Sequence, residues 1–386
     1  MYAFIYFILL ELTVLSKAWV PDKVSILPGT KRLSLTVDAN TDDCWTFNET
    51  WPQKQMRRLW EKEPHSLLTL HVRRMISGQE SVLNTTAITD SVFSLPFQST
   101  FDPTFQAFYE GRFPIQNNQT NASIPSKKRK KISYRLDFAY DGTQFAGWQR
   151  QADAKLVTVQ ECIEQYFCRL TGEETVDVRV AGRTDAGVHA VGQVGRIRLS
   201  QPLMHRQIWM KDLCVWSITE VPSNFHPSFG SKSRSYVYMI DAAALDNLLL
   251  QELSEKGISD SIKQDNLLHL VERMNDLLET FVGQELDYFA FSYGRVKTET
   301  TLCCLSQACA RLVQNGDAGH RAIVIELTGN RFLRRMVRIL VATVLQSALF
   351  PDSSDGTLLD LVELRDRSKT APPAPAAGLV FVSADC

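Results

Sequence analysis

The sequence has no charge excess, no paired-cysteine spacing and no apolar run long enough to cross a bilayer. Its 42 Lys and Arg face 43 Asp and Glu, a formal net charge of −1. That balance excludes a histone-like or tail-driven nucleic-acid binder, though not a local basic surface. None of the eight cysteines (Cys44, Cys162, Cys168, Cys214, Cys303, Cys304, Cys309, Cys386) falls in a C-x-x-C. A disulfide framework is thereby excluded, and a reducing compartment fits better. Cys303, Cys304 and Cys309 lie in an apolar run and read as buried free thiols, not as a metal site. The run Tyr2–Leu10 is broken by Glu11, short of the roughly 20 residues that a span needs. No glycine spacing matches a dinucleotide- or phosphate-binding loop. The expectation is therefore no metal, no small-molecule cofactor and no membrane for the mature protein. With 44% hydrophobic and 22% charged residues in 386, what remains is a globular chain with room for two or three domains.

The N-terminal third differs from the rest. Tyr2–Leu10 has the length of a signal-peptide core, with Ala18 as a cleavage position, so residues 1–20 read as a targeting segment. Ala18-Trp19-Val20-Pro21 is similar to the junction of bipartite plastid presequences. This favours an organelle, plastid or mitochondrion, with nucleus or cytoplasm as the alternative. Residues 21–126 show no sustained period and read as a largely irregular extension, helical in part near Gln55 to Met75. Sequons at Asn118 and Asn121 would matter only in a secretory lumen; with the N-terminal apolar run they are the only support for a secreted glycoprotein. The block Lys127-Lys128-Arg129-Lys130-Lys131 is similar to a nuclear localisation signal. It also reads as a solvated domain edge, or as a phosphate contact through Lys127 and Lys128.

From Ile132 the pattern sharpens. Ile132, Tyr134, Leu136, Phe138 and Tyr140 alternate with polar residues, predicting a strand that ends at Asp141-Gly142. Thr158 and Glu161 form a capping-box pattern, and Val159, Cys162, Ile163, Tyr166, Phe167 and Leu170 follow at helical spacing up to Gly172. Strands are predicted over Val176–Val180 and Gln193–Leu199. A second half repeats the order: strand Ser235–Asp241, helix near Gln264–Phe281, strands Leu302–Leu312 and Ala322–Leu327, helix Phe332–Leu349. The expectation is an α+β fold of two related lobes, about 131–230 and 231–386.

The chemistry-bearing residues lie in ordered blocks. Between two predicted strands stands Ala181-Gly182-Arg183-Thr184-Asp185-Ala186-Gly187-Val188-His189-Ala190. Its small residues let backbone approach a ligand closely. Alone, Asp185 suits a nucleophile, a base, a metal ligand or an Asx turn, and His189 suits a structural hydrogen bond. Around it are YDGTQFAGWQRQ (Tyr140 to Gln151), Thr158-Val159-Gln160, Asn224-Phe225-His226 with Arg234-Ser235-Tyr236-Val237-Tyr238, and FLRRMVR (Phe332 to Arg338) after Gly329-Asn330-Arg331. The tail adds Ala371-Pro372-Pro373-Ala374 and Ala377-Gly378-Leu379.

These blocks, in this order from about Lys131 to the end, resemble the TruA-type tRNA pseudouridine synthases of bacteria and organelles. The resemblance implies a pseudouridine synthase fold over 127–386, each lobe an antiparallel sheet flanked by helices, with a catalytic cleft between the lobes. It implies an isomerase that converts uridine to pseudouridine in the anticodon stem-loop, at tRNA positions 38–40, acting as a homodimer on tRNA without a cofactor. The alternative is a catalytically idle RNA-binding or tRNA-chaperone member of the same fold. Asp185 is implied as nucleophile, Tyr236 as the residue that stacks on the flipped base, Arg338 as the partner of Asp185, and Arg183 as a contact to the target nucleotide. Two departures stand out: Pro227 and Ser228 follow His226 where the family has Ala-Arg, and Gly283 to Phe289 lacks the family's His. Independently of the family, Arg331, Arg334, Arg335 and Arg338 fall within about 100° of one face of the last predicted helix, a track for RNA phosphates.

Overall fold

The computed structural model describes residues 131–386, apart from 153–155, 204–207, 211, 244, 246–265, 296–299, 316–319 and 352–356. The readings for residues 1–130, including Lys127 and Lys128, lie outside the described residues. The chain opens with strand β1 (Ile132–Tyr140) and helix α1 (Val159–Thr171). Strands β2 (Arg179–Val180), β3 (His189–Leu199), β4 (Ile208–Met210), β5 (Leu213–Val221) and β6 (Ser233–Asp241) follow. Then come α2 (Asn266–Glu279), β7 (Glu285–Asp287), β8 (Leu302–Asn315), β9 (His320–Gly329), α3 (Met336–Leu349), α4 (Leu358–Leu364) and β10 (Leu379–Asp385).

The expected local signals are realised at the first two elements. Along β1, Tyr134, Leu136, Phe138 and Tyr140 enter the main core while Ala139 joins a second cluster on the opposite face, as period-two alternation requires. Thr158 caps α1 through its hydroxyl, which accepts the Glu161 N–H at 3.3 Å. Gly172 ends the helix at φ 71°, a left-handed geometry that glycine adopts freely.

The strands form one continuous sheet in the order β4-β5-β1-β3-β10-β6-β9-β8-β7, with β2 attached to β3. The expectation of one sheet per half is corrected here, because the C-terminal strand joins the halves. Strand β10 pairs parallel with β3 and antiparallel with β6. It is buried on both faces: Leu379 and Phe381 face the main core, Val380 and Val382 the second cluster. The buried hydrophobic residues of α1, α2, α3 and α4 all belong to the main core, and the second cluster contains no helix residue. The fold is α+β, with its helices gathered on one side of a mixed sheet.

Helix α3 is apolar on nearly every side, from Met336 and Val337 to Leu345, which marks it as a buried helix. It starts four residues later than the pattern predicts, at Met336 instead of Phe332. Arg335 is its N-cap and sits at φ 58°. The Arg331–Arg338 stripe is therefore not a helical stripe: Arg331, Arg334 and Arg335 belong to the turn before the helix, and only Arg338 is in it. Cys303 is buried in the core and Cys309 lies beside Glu326, both as free thiols. Among the described residues no helix is long and apolar enough to cross a membrane.

Candidate active site

The site is assembled on the loop that links β2 to β3. Tyr140, the last residue of β1, shares a hydrogen bond with Thr184 Oγ1 at 2.8 Å. Gln193 on β3 donates through Nε2 to the Gly182 carbonyl at 2.8 Å. Trp148 N–H donates to the Thr184 carbonyl at 3.0 Å, and Val188 N–H closes a turn on the Asp185 carbonyl at 3.2 Å. Every peptide flanking Asp185 is thus tied down, and the carboxylate is presented from a fixed backbone.

The block at Tyr140 to Gln151 forms a collar around this loop. Asp141 accepts from the Thr143 N–H and hydroxyl at 3.0 and 2.6 Å, which turns the chain. Gly142 N–H donates to His189 Nδ1 at 3.1 Å, so the buried His189 serves structure, in line with the simpler reading of it. Gly147, at φ 95°, sits where a Cβ would meet the backbone of Thr184, Asp185 and Ala186 at 3.1–3.2 Å. The block Thr158-Val159-Gln160 zips onto the collar: Val159 N–H donates to the Gly147 carbonyl, Gln160 N–H to the Trp148 carbonyl, and Gln160 Oε1 accepts the Arg150 N–H. Arg150 in turn pairs with the buried Glu164.

Arg338 reaches the loop from the first turn of α3. Its Nη1 donates to Asp185 Oδ2 at 3.2 Å and its Nε to the Ala374 carbonyl at 2.5 Å. The Ala374 N–H answers on the Arg338 carbonyl at 3.1 Å, so the segment Ala371 to Ala374 straps the helix. Burial lowers the pKa of the Arg338 guanidinium, while the Asp185 charge acts in the opposite sense. Arg335 Nε stands 4.0 Å from the same Oδ2.

Tyr236 on β6 is buried between the edges of Phe332 and Phe381, with ring centroids 5.0 and 5.1 Å away. Burial pushes its phenol pKa well up, and Asp185 is close enough to add to that shift. Two positions earlier on the same face of β6, Arg234 holds three segments together. Its guanidinium donates to the carbonyls of Ser228 (2.5 Å), Asn330 (2.7 Å), Ser231 (3.1 Å) and Ala181 (3.3 Å). The sequence reading gave Arg234 no role, although the R-x-Y-x-Y spacing already places Arg234, Tyr236 and Tyr238 on one strand face.

Asp185, Arg183, Tyr236, Arg338, Arg331, Arg334 and Arg335 all line one cavity of about 1160 Å³. Arg183 is exposed and has no hydrogen-bond partner among the described residues. Nine arginines and two aspartates, Asp177 and Asp185, line the space, in a chain of net charge −1. At its rim Phe229 is 89% exposed and rests on His226, ring centroids 4.5 Å apart. Burial and then the guanidinium groups of Arg196, Arg179 and Arg198 hold the His226 imidazole below its usual pKa.

A carboxylate paired with a guanidinium, inside a cavity walled by arginines on an α+β scaffold, suits an enzyme with a polyanionic substrate. Comparison with known proteins specifies the class. A family profile described as tRNA pseudouridine synthase matches residues 138–212 and 278–385. The chain is 33% identical over 268 residues to the tRNA pseudouridine synthase A of Anaplasma marginale (strain St. Maries), covering 65% of this chain and 98% of that protein. It is 32% identical over 257 residues to that of Chloroflexus aurantiacus, covering 64% and 86%, and 29% identical over 254 to that of a Bacillus species (strain KSM-64), covering 64% and 96%. The chain belongs to the tRNA pseudouridine synthase family, whose members are isomerases.

Proposed function

We propose that this protein converts uridine to pseudouridine in the anticodon stem-loop of tRNA, with Asp185 as nucleophile. The reaction breaks the C1′–N1 bond, turns the uracil and forms C1′–C5; a proton leaves C5 and N1 ends protonated, so no redox partner is required. The observation that carries the reading is the Asp185–Arg338 pair at 3.2 Å in a cavity lined by nine arginines. A cavity of about 1160 Å³ has room for a flipped nucleotide and its neighbours. In this reading Tyr236 stacks on the extruded base, Arg183 holds the target nucleotide, and Arg331 and Arg334 track phosphates. In the same reading the two halves of the sheet act as lobes and the cavity, lined by residues of both, serves as the cleft between them. The exposed Phe229 at the rim fits base stacking where the family's Arg is missing. An idle RNA-binding role gains no support, since it has no use for an ion-paired aspartate on a fully braced loop.

The deciding experiment measures pseudouridine formation on unmodified tRNA transcript by purified wild type and Asp185→Asn. The wild type turns over; the variant binds tRNA within a few fold but forms no product. Turnover by Asp185→Asn above a no-enzyme control overturns the nucleophile assignment. Two further parts of the proposal have their own readouts. A homodimer is checked by light scattering, and an organellar address by the location of a fluorescent protein fused behind residues 1–60.

A further inference from the structure

Arg335 holds a backbone conformation that disfavours any residue with a Cβ: its φ is 58°. Among the described residues one other non-glycine residue, Arg365, shares it. Strain of this kind persists only where the surroundings enforce it, and it clusters at functional sites. Here the surroundings are specific. The Arg335 guanidinium carbon lies 3.6 Å from the centroid of the Tyr293 ring, a close cation–π contact. Its Nε is buried without a hydrogen-bond partner, 4.0 Å from Asp185 Oδ2. That is the oxygen already taken by Arg338 at 3.2 Å. Asp185 Oδ1 has no protein partner among the described residues.

We infer that Arg335 is a positioning residue for Asp185: held by Tyr293, it closes on Oδ2 beside Arg338 and leaves Oδ1 facing the target uridine. A movement of about 1 Å brings Nε within hydrogen-bonding range. The tyrosine ring covers one side of the guanidinium and restricts it to that approach. A phosphate contact fits this arginine poorly, because its Nε is buried, whereas Arg183 and Arg334 are exposed at the cavity. The inference rests on the assignment of Asp185 as nucleophile.

The test uses the full-length protein and tRNA transcript, measuring kcat, KM, the salt dependence of binding and Tm. Arg335→Met lowers kcat by about 100-fold, the order expected for a reacting group displaced by roughly 1 Å, with KM and the salt slope little changed. Tyr293→Leu loses about tenfold in kcat, as part of the cation–π support goes, and Tyr293→Phe, which keeps the ring face, recovers most of that loss. Arg335→Gly releases the backbone strain, so its Tm equals or exceeds that of wild type while kcat falls as for Arg335→Met. Wild-type kcat in Arg335→Gly overturns the inference, because the strain then serves the fold alone. So does an Arg335→Met variant with wild-type kcat, weaker binding and a salt slope shallower by about one, the signature of a phosphate contact. If Asp185→Asn is inactive while the Arg335 variants run at the wild-type rate, the positioning role falls and the nucleophile stands. A wild type without turnover removes both.

Discussion

Gly142 lies so close to Val188 that a methyl group on it would stand 2.1 Å from the Val188 carbonyl oxygen. The neighbour is backbone, and it belongs to the turn that carries Asp185, so neither side can yield cheaply. Gly142→Ala is expected to lower stability by about 3 kcal/mol, at the upper end for overpacking, and to reduce turnover beyond what unfolding explains. Gly172 supplies the contrast: at φ 71° it has nothing within 4 Å of a built Cβ. Gly172→Ala should cost only about 1 kcal/mol and leave kcat alone. Urea midpoints alongside initial rates check both; equal behaviour of the two variants refutes the collar.

Much of this arrangement was legible in the sequence, for reasons that differ by residue. The alternation of β1 and the Thr158–Gly172 helix announce themselves because each is amphipathic, with one face buried. Strand β10 has no alternation to read: Leu379–Val382 is buried on both faces of the sheet, and its place between β3 and β6 depends on partners distant in sequence. Strand β5 (Leu213–Val221) was likewise not expected, and its register slips by a bulge against β1. The late start of α3 was invisible because arginine carries no signal for positive φ. The predicted residues that line the cavity were legible through motif order, and the R-x-Y-x-Y spacing sets Arg234 on the face of Tyr236. That Arg234 and Ala374 act through carbonyls and Tyr293 through a ring face is nothing that spacing reveals.

Arg338 makes two bonds that lysine cannot reproduce together, one to Asp185 and one to the Ala374 carbonyl. A lysine is a single point donor on a flexible stem, while the guanidinium fork fixes both partners in one plane. Arg338→Lys should therefore retain tRNA binding and lose about 100-fold in kcat. The carbonyl left without its donor should cost about 1–3 kcal/mol of stability. Rates on tRNA transcript and thermal melts measure the two effects. Wild-type kcat in Arg338→Lys would mean that charge alone suffices at this position.

Tyr140 predicts how stability depends on alkaline pH. Burial pushes its phenol from the ordinary 10.0 up to about 12. Between those values the unfolded chain releases the proton while the folded protein keeps it, so stability falls as pH rises. The contribution is fully present below pH 10 and is lost as pH climbs through about 12. For Tyr140 it is on the order of 2–3 kcal/mol. Tyr236 and Tyr288, also raised by burial, steepen the decline. Urea midpoints from pH 8 to 11 should drop mainly above 10, and Tyr140→Phe, which cannot ionise, should show a flatter limb from a lower starting value. A decline of equal slope in Tyr140→Phe would assign it to other groups.

The Anaplasma marginale relative aligns over 98% of its own length with only 65% of this chain, and every site residue described lies beyond Lys131. We propose that residues 21–126 are an extension and 127–386 the catalytic body. A chain beginning at Lys127 should fold and modify tRNA within about threefold of the full-length rate; a larger loss would exceed what an element outside the transition-state contacts supplies. Replacing Lys127 to Lys131 by serine should weaken binding and flatten its salt dependence, with little change in kcat at saturation. The one described ion pair of this block, Lys131 with Glu173 at 3.0 Å, is exposed and contributes little to stability, so a loss of binding would reflect RNA and not folding. The cluster of Val191, Val237, Val324, Val380 and Val382 is buried on the sheet face that carries no described helix residue. If the shortened chain is insoluble or inactive, that face needs cover from the removed residues, and the extension belongs to the fold.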